Sequence, residues 1–264
     1  MSGAWVRGGL SVYDSPMQIM RLDTVVSTMD VCRELAADGA AELCAVVARE
    51  QTAGRGRYGR VWFSPPGASI YGSILLRPSI GAERLNWLTM LGALAVLDAI
   101  TPALSAPSAP AVPAQARLKW FNDVVFDGRK LAGVLMESAW LGDRLDYAIL
   151  GIGVNVNTDF STASADIQQR ATSVRSMCGA ACDLEAILAR LLHAIESRYR
   201  ALIDEGRSPL AEYVSALETL GRTVRMSAGE EQLAGRAVGV DDDGALIVQT
   251  PRGRRRLTFG DVAH

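Results

Sequence analysis

Apolar residues recur at the spacing of one helix face in four stretches of this 264-residue chain. Ser27 and Asp30 have the spacing of a capping box at the start of the first stretch, and Asp183 is a good capping residue for the third. Gly39 and Gly206 follow the last apolar positions of these two stretches and supply stop signals. The pattern therefore predicts helices over residues 27–39, 85–97, 183–206 and 208–221.

Short runs of apolar and β-branched residues between these helices predict strands. They cover residues 17–23, 44–48, 70–77, 117–120, 131–138 and 147–156. Asp127-Gly128 is a hairpin-turn signal, which favours an antiparallel sheet over a βαβ unit in this region. The last part of the chain carries four more short runs, at 223–226, 235–240, 245–250 and 255–259. The chain is therefore predicted to be α+β, with a small β-barrel at its C-terminus.

The same pattern divides the chain into three segments. Residues 1–16 form a tail without a clear pattern, residues 17–220 form the main α+β domain, and residues 221–264 form the barrel. Pro, Ala and Ser dominate the stretch from Thr101 to Ala116, which contains four prolines. Because strong regular signals flank it on both sides, this stretch is predicted to be a surface insertion within the main domain.

Composition mainly excludes certain classes of protein and of chemistry. The 27 Lys and Arg residues against 29 Asp and Glu give a net charge of −2, so no global positive field exists to hold DNA or an anionic membrane. Four scattered cysteines do not make a disulfide framework, which predicts a reduced, cytoplasmic protein. Only two histidines are present, so the chemistry is expected to use Lys, Arg, Asp or backbone groups.

No membrane-spanning or secretory segment is predicted. The longest apolar stretch, Leu88 to Ile100, falls short of the roughly 20 residues that span a bilayer. The N-terminal sequence MSGAWVRGGL lacks the continuous apolar core of a signal peptide.

The most unusual segment is rich in glycine and arginine and follows the period of no regular element. Three glycines and three arginines lie between Gly54 and Arg60, a composition that predicts a loop. Glycine lets backbone N–H groups approach a ligand, and arginine forks suit carboxylate and phosphate oxygens. The loop is therefore expected to close over an anion, although an exposed flexible basic loop has the same composition. Trp62, just after it, could stack on a base or belong to the core.

Two further constellations carry polar groups beside predicted strands. Lys119 precedes Asn122 and Asp123, and a lysine at a strand end can neutralise a developing phosphate charge. In the segment GIGVNVN, alternation places Asn155 and Asn157 on the same side, where they could hydrogen-bond a purine or phosphate. Taken singly, a lysine is more often a solvated surface residue and an asparagine more often forms a turn.

Together, four segments resemble the biotin protein ligases. They are GRGRYGRVWFSP (54–65), KWFNDV (119–124), RKLAGVLME (129–137) and GIGVNVN (151–157), and their order and approximate spacing agree with that family. The resemblance covers the chain from about Met17 to the C-terminus. It implies a class II synthetase-like catalytic domain, with a mixed sheet packed with helices, and a C-terminal barrel of the SH3-like type.

The resemblance implies a two-step, ATP-dependent reaction that requires Mg²⁺. Biotin and ATP give biotinyl-5′-adenylate and pyrophosphate, and a lysine of a biotin carboxyl carrier domain, of acetyl-CoA carboxylase or a related carboxylase, then takes the biotin. No N-terminal DNA-binding domain is recognised before the first predicted strand, so no repressor function is expected. Whether the protein forms a homodimer stays open at this stage, because no stretch of the sequence identifies an interface.

The resemblance also implies roles for individual residues. Lys119 would be catalytic by bridging the biotin carboxylate and the α-phosphate, and Arg55 and Arg57 would close over the adenylate. The biotin-binding residues would be Ser27, Thr28, Gln51, Gly54, Arg55, Gly56, Arg57 and Lys119. The ATP-binding residues would be Arg57, Arg60, Trp62, Lys119, Asn122, Asp123, Lys130 and Asn155. No residue is assigned to a metal ion.

Two positions depart from the family pattern, which usually has Pro in place of Phe121 and Asn in place of Met29. These changes affect loop geometry and a polar contact near the ureido ring of biotin, but they delete no proposed catalytic group. Two alternatives remain open. One is a lipoate or octanoate ligase of the same fold, and the other is a non-catalytic biotin-binding sensor.

Overall fold

A computed structural model of the chain describes residues 4–7, 17–104, 115–228, 231–258, 260 and 262–263. Eight strands form the larger of two sheets, in the spatial order β1-β2-β3-β4-β8-β7-β6-β5. They are β1 (Ala4–Arg7), β2 (Gln18–Val25), β3 (Cys44–Gln51), β4 (Ile70–Leu76), β5 (Arg117–Lys119), β6 (Asp123–Phe126), β7 (Arg129–Leu141) and β8 (Arg144–Val154). Among the described strands of this sheet, only β2 and β3 pair in parallel. The predicted mixed sheet is therefore confirmed, and so is antiparallel pairing around Asp127-Gly128.

Six α-helices accompany this sheet in the described part of the chain. They are α1 (Thr28–Ala37), α2 (Asn86–Leu104), α3 (Ala165–Arg170), α4 (Val174–Cys178), α5 (Leu184–Asp204) and α6 (Leu210–Ala216). Helices α2 and α5 pack against each other and cover one face of the sheet, where Leu91, Leu150 and Ile195 are fully buried. The predicted caps are present, since Ser27 accepts from the Met29 N–H and Asp183 accepts from the Ala186 N–H at 3.1 Å.

The C-terminal residues form a second, five-stranded antiparallel sheet with the order β12-β11-β10-β9-β13. Its strands are β9 (Thr223–Ala228), β10 (Glu231–Val240), β11 (Leu246–Thr250), β12 (Gly253–Leu257) and β13 (Val262–Ala263). This small sheet agrees with the predicted SH3-like domain. It contacts the main sheet near β5, where the Trp120 indole Nε1 donates to the Gly244 carbonyl at 3.0 Å.

Two predicted boundaries were wrong. In addition, the N-terminal tail contains a strand that was not predicted, since residues 4–7 form β1 and pair with β2. Helix α6 ends at Ala216 and not near Gly221, because Leu217 turns to extended backbone and bridges Leu118. Helix α2 continues to Leu104, into the predicted insertion, although Pro102 in its last turn cannot donate a backbone hydrogen bond. Residues 105–114 of that insertion lie outside the described residues.

One helix bears on the prediction that no segment spans a membrane. The helical segment from Ala82 to Ala103 is long and apolar enough to cross a bilayer by length and composition alone. The sequence argument missed it because Thr89 and Asp98 interrupt the apolar run without interrupting the helix. In the fold this segment is the central helix of the core, since Leu88 and Ile100 are completely buried against the sheet and α5.

The cap of α5 gives a prediction about stability. Replacing Asp183 with Ala removes the side-chain acceptor of the Ala186 N–H and should lower the free energy of unfolding by about 1 kcal/mol, measured by urea denaturation. Ser164→Ala is the matched control, because Ser164 occupies the cap position of α3 but makes no side-chain cap bond. An equal loss in both variants would contradict the assignment of the effect to the cap.

Candidate functional site

The two faces of the large sheet are built differently. Helices α2 and α5 bury one face, whereas α1 covers only part of the other, over a small cluster that includes Cys32, Val46 and Ile149. Beside this cluster, each of the strands β5, β6, β7 and β8 contributes one residue to a row in which every residue lies opposite its neighbour on the next strand. These residues are Lys119, Asp123, Gly133 and Gly153, called the glycine row below. The row brings two predicted site residues of one motif, Lys119 and Asp123, beside glycines from two other motifs.

Trp62 lies against the glycines of this row. A Cβ atom on Gly153 would be 2.5 Å from the Trp62 Cε2 atom, and one on Gly133 would be 3.1 Å from its Cζ3 atom. The indole can therefore approach the backbone only because both strands lack a side chain there. The Trp62 Nε1 atom is buried and has no hydrogen-bond partner among the described residues. Trp62 is half-buried on the sheet surface, so its interpretation as a residue of the main core is wrong.

The predicted glycine and arginine loop is a narrow hairpin. The Trp62 N–H donates to the Gly54 carbonyl at 2.8 Å, and Arg55 bridges Val61 in antiparallel register. A single 3₁₀ turn closes the tip, with Tyr58 in the left-handed region at φ 56°. We call residues 54–62 the arginine hairpin. It extends from the end of β3 and ends on the glycine row.

Arg55 anchors the arginine hairpin to two elements of the main domain. Its Nη1 atom donates to Asp30 of α1 at 2.6 Å, and its Nη2 atom donates to Glu137 of β7 at 3.3 Å. Arg33 pairs with the same two carboxylates, so two cations and two anions form one network. Burial by itself raises the pKa of Asp30, but the hydrogen bonds from Arg55 and Arg33 outweigh it and hold this pKa below its usual range.

Arg57 joins the arginine hairpin to two other parts of the protein. Its Nη1 atom donates to the Asn122 side-chain carbonyl at 2.9 Å, and its Nη2 atom donates to the Gly260 carbonyl of the C-terminal domain at 3.0 Å. The Asn122 amide in turn donates to the Val134 carbonyl of β7. Arg60 is exposed, and its guanidinium carbon lies 5.8 Å from the Tyr58 ring centre. The structure therefore brings Arg57 to the turn after Lys119, whereas Arg60 stays at the hairpin tip.

A buried polar corner lies where β3, β4 and the start of α1 meet. The Gln51 side-chain carbonyl accepts from the Thr28 N–H at 2.9 Å and from the Thr28 hydroxyl at 3.1 Å. The Thr28 hydroxyl also lies 2.8 Å from the Ser73 hydroxyl, and the Gln51 amide donates to Ser64 at 3.3 Å. Ser27 is nearly inaccessible beside them. The three residues predicted to hold the biotin head group are thus neighbours.

Close packing explains one glycine of the arginine hairpin. A Cβ atom on Gly54 would lie 2.7 Å from the Ser64 hydroxyl oxygen and 2.9 Å from the Gln51 Nε2 atom. Any side chain at this position would therefore displace the polar corner. Sequence reasoning missed Ser64 and Ser73, although a serine inside the otherwise apolar strand β4 is the signal that could have identified Ser73.

The groups around Lys119 hold the backbone after it. The Trp120 N–H donates to the Thr219 hydroxyl at 2.9 Å, and the buried Tyr213 hydroxyl donates to the Phe121 carbonyl at 2.7 Å. Burial raises the pKa of Tyr213, so its hydroxyl remains a donor at neutral pH. The peptide bond between Trp120 and Phe121 is cis. Phe121 thus stands in a backbone fixed by neighbouring side chains, at the position where the family usually has Pro.

The remaining predicted residues surround the other end of Trp62. The Lys130 ammonium lies 2.7 Å from an Asp123 carboxylate oxygen and 5.3 Å from the Trp62 ring centre. The Asn155 amide donates to the Lys130 carbonyl at 3.4 Å. Asn157 does not join this group, because strand β8 ends at Val154 and both the donor and acceptor of its amide bind the backbone of Cys182.

The carboxylates near the glycine row do not form a preformed metal cage. Among the described residues, no group of three or more His, Cys, Asp or Glu side chains could hold a metal ion. A separate cleft of about 410 Å³ lies between α2, α5 and α6, next to Asp98 and Arg190. It contains none of the predicted site residues and lies across the core from the glycine row.

Models of known protein families match the parts of the chain that form the candidate site. Residues 23–155 match the model of the biotin/lipoate A/B protein ligase family, and residues 219–264 match the biotin protein ligase C-terminal domain. The chain is 34% identical to a biotin–[acetyl-CoA-carboxylase] ligase of Mycobacterium tuberculosis, over 92% of this chain and 89% of that protein. It is 32% identical to a bifunctional ligase/repressor, BirA, of Bacillus spizizenii, over 99% of this chain and 78% of that protein.

The fold agrees with a solved structure as well. A biotin protein ligase from Aquifex aeolicus in complex with biotin and ATP superimposes with a TM-score of 0.75 at 29% sequence identity, covering 93% of this chain and 97% of that one. The two family models together extend over the glycine row, the polar corner, the arginine hairpin and the C-terminal sheet. On this evidence the chain belongs to the biotin/lipoate A/B protein ligase family and, within it, is a biotin protein ligase.

Proposed function

We propose that this ligase forms biotinyl-5′-AMP from biotin and ATP, and transfers the biotin to one lysine of a biotin carboxyl carrier domain. The observation that carries the proposal is the glycine row, in which Lys119 and Asp123 share one line across the sheet with Gly133 and Gly153, the two glycines on which the Trp62 indole lies. The half-buried indole would offer its outer side to a flat ligand near this cation. The printed name of the Mycobacterium tuberculosis relative, a biotin–[acetyl-CoA-carboxylase] ligase, supports that carboxylase as the source of the acceptor.

The first step brings two negative groups together. A carboxylate oxygen of biotin attacks the α-phosphorus of ATP, and pyrophosphate leaves with the electron pair of the broken P–O bond. Lys119, at the end of the glycine row, would stabilise the charge that develops between carboxylate and phosphate. Arg55 and Arg57 would keep the arginine hairpin closed over the adenylate, since they connect it to α1, β7 and the turn after Lys119.

The two substrates would occupy different parts of the site. The polar corner of Ser27, Thr28 and Gln51 offers donors and acceptors for the ureido group of biotin. Trp62 and Lys130 would contact adenine, and the unpartnered Trp62 Nε1 atom supplies a buried donor for a nucleotide acceptor. Lining up both ligands along one sheet surface places the carboxylate and the α-phosphate next to each other.

The second step uses the mixed anhydride of the adenylate. The ε-amino nitrogen of the acceptor lysine attacks the carbonyl carbon, AMP leaves with the anhydride oxygen, and the nitrogen loses its proton. Lys119 remains beside the leaving phosphate and would stabilise its charge again. The enzyme needs no nucleophile of its own for this sequence, which agrees with the scarcity of histidine in the chain.

Magnesium fits this site as a partner of the triphosphate. Mg²⁺ is usually held by one or two carboxylates together with substrate phosphates, and Asp123 is the carboxylate of the glycine row. When bound, the ion neutralises charge on the phosphates. Asp123 would hold it, and Lys130 would keep that carboxylate oriented through its contact at 2.7 Å.

The central role of Lys119 can be tested directly. Lys119→Ala should lower the rate of biotin-dependent ATP–pyrophosphate exchange by roughly 10²–10³-fold, because one group that stabilises developing charge is removed. Arg117→Ala is the matched control, since Arg117 lies on the same strand but donates to the Ser215 carbonyl outside the glycine row. Full exchange by the Lys119 variant, or an equal loss in the control, would contradict the assignment.

The same exchange assay tests the substrate. Exchange with biotin, followed by transfer to a carrier domain, is the expected result. Exchange that requires lipoate or octanoate instead would identify the alternative ligase activity. Tight binding of biotin without any exchange would identify a sensor and would overturn the proposed reaction.

The floor of the site gives a second prediction. Gly153→Ala places a Cβ atom 2.5 Å from the Trp62 ring, so the indole must move and lose its position for stacking on adenine. Since stacking is worth about 1–3 kcal/mol per base, the KM for ATP in the exchange assay should rise at least about fivefold, with a smaller change for biotin. Gly72→Ala is the control, because its nearest non-adjacent atom, the Val46 carbonyl oxygen, is 3.6 Å away. An unchanged KM for ATP would argue against this position for adenine.

A further inference from the structure

A short turn follows Lys119 and joins β5 to β6. It consists of residues 120–122, which we call the lysine turn. Strand β5 has only three residues, and Lys119 is the last of them, opposite Asp123 at the start of β6. Two strands this short form few hydrogen bonds of their own. The shape of the lysine turn therefore decides how Lys119 and Asp123 lie relative to each other in the glycine row.

Every residue of the lysine turn is held by a group outside the pair of β5 and β6. The Trp120 N–H donates to the Thr219 hydroxyl at 2.9 Å, and the Phe121 carbonyl accepts from the Tyr213 hydroxyl at 2.7 Å. The third residue is bonded to β7 through both its backbone and its side chain. Tyr213 and Thr219 are completely buried, so removing either hydroxyl leaves a backbone group of the turn without this partner in a place that bulk water does not reach.

Both hydroxyls come from one segment far along the chain. Tyr213 lies in α6, and Thr219 lies shortly before β9 of the C-terminal domain. Between them, Leu217 bridges Leu118 in parallel register, and the Glu218 N–H donates to the Leu118 carbonyl at 2.8 Å. The segment therefore lies along β5, the strand that ends in the predicted catalytic lysine.

We infer that Tyr213 and Thr219 are positioning residues of this ligase, an inference that rests on the proposed function. Their hydroxyls hold the lysine turn, and the turn holds Lys119 where the biotin carboxylate and the α-phosphate would meet. A cation stabilises developing charge best when it is already in place before the reaction, because no reorganisation is then needed. Both hydroxyls are buried and bonded to backbone groups, so they act through Lys119 and not on a substrate.

Conservative substitutions can remove each hydroxyl separately. Burial raises the pKa of Tyr213, and the charge of Asp123 raises it further, whereas Arg57 lowers it. The hydroxyl therefore stays protonated at neutral pH and donates to the Phe121 carbonyl. Tyr213→Phe keeps the ring and deletes this donor. Thr219→Val keeps the branched side chain and deletes the acceptor of the bond from the turn.

The matched control is Tyr199→Phe. Tyr199 is also a buried tyrosine, exposed at 2%, and its hydroxyl donates to the Glu42 carboxylate at 2.6 Å. Tyr199 belongs to α5, and Glu42 precedes β3, which lies four positions away from β6 in the order of the sheet. The control therefore loses a buried hydroxyl bond without touching the lysine turn, and it reports the effect of lower stability alone.

Biotin-dependent ATP–pyrophosphate exchange by the full chain tests the inference. Tyr213→Phe and Thr219→Val should each lower kcat by roughly 10- to 100-fold, the loss expected when a catalytic group moves by up to about 1 Å. The KM values for ATP and biotin should change by less than about threefold, because the displaced group acts in the transition state. Tyr199→Phe should keep the wild-type kcat.

A double-mutant cycle separates positioning from a purely structural role. In the Lys119→Ala background no lysine is left to position, so adding Tyr213→Phe should lower kcat by less than about twofold. An independent structural effect would lower kcat by the same factor in both backgrounds, and that result would contradict the inference. If circular dichroism shows that Tyr213→Phe does not fold, the same cycle with Thr219→Val decides.

Failure of the inference and failure of the proposed function give different results. No exchange by the wild-type protein, or full exchange by Lys119→Ala, would contradict the proposed reaction or the role of its lysine. If Lys119→Ala loses exchange while Tyr213→Phe and Thr219→Val both keep the wild-type kcat, only the inference is overturned. An equal loss of kcat in Tyr199→Phe would also overturn it, because the effect would then come from lower stability.

Discussion

The site depends on the absence of side chains where β7 and β8 pair. Gly133 and Gly153 face each other across these strands, and a Cβ atom on either would collide with Trp62 or press tightly on it. On the opposite side of the same strands, Val134 and Ile152 are buried in the main core. Because side chains alternate between the two faces, one pair of strands can stabilise the fold through one face and leave room for the Trp62 indole on the other.

The position of the arginine hairpin follows from charge as well as from packing. The network of Asp30, Arg33, Arg55 and Glu137 contains two cations and two anions, so it fixes the hairpin without adding net charge. Folding lowers the pKa of the Asp30 carboxyl group, so this group stabilises the folded state at pH values above its unfolded pKa. The contribution is lost as the pH falls through the lowered pKa. The anchor is therefore complete at neutral pH. The pairs are partly exposed, so each contributes modestly.

The elements and the main motifs could be predicted from the sequence, because their signals are local. Helical spacing located α2 and α5, and the glycine and arginine motif identified the segment that covers the site. The ends of elements were less predictable. Helix α6 stops at Ala216 only because Leu217 meets Leu118, which is far away along the chain.

Contacts between distant segments explain what the sequence did not identify in the site. Asp30 has the spacing of a capping residue, yet its carboxylate holds Arg55. Ser73 belongs to a buried apolar strand, and only the register of β4 beside β3 brings its hydroxyl to Thr28. No periodicity within one segment contains this information, because it depends on which strands become neighbours. The family resemblance predicts roles for Lys119 and Gln51, but it did not describe the contacts that hold Gln51.

The C-terminal domain acts on the site through its backbone. Four side chains of the main domain, Asn86, Trp87, Trp120 and Arg57, donate hydrogen bonds to carbonyl groups of that domain. Every residue has a backbone carbonyl. These contacts therefore fix the path of the C-terminal backbone but do not require particular side chains there. Two of the donors border predicted catalytic residues, since Trp120 follows Lys119 and Arg57 belongs to the arginine hairpin. The small sheet thus helps to fix the geometry of the candidate site, while the predicted catalytic residues belong to the main domain.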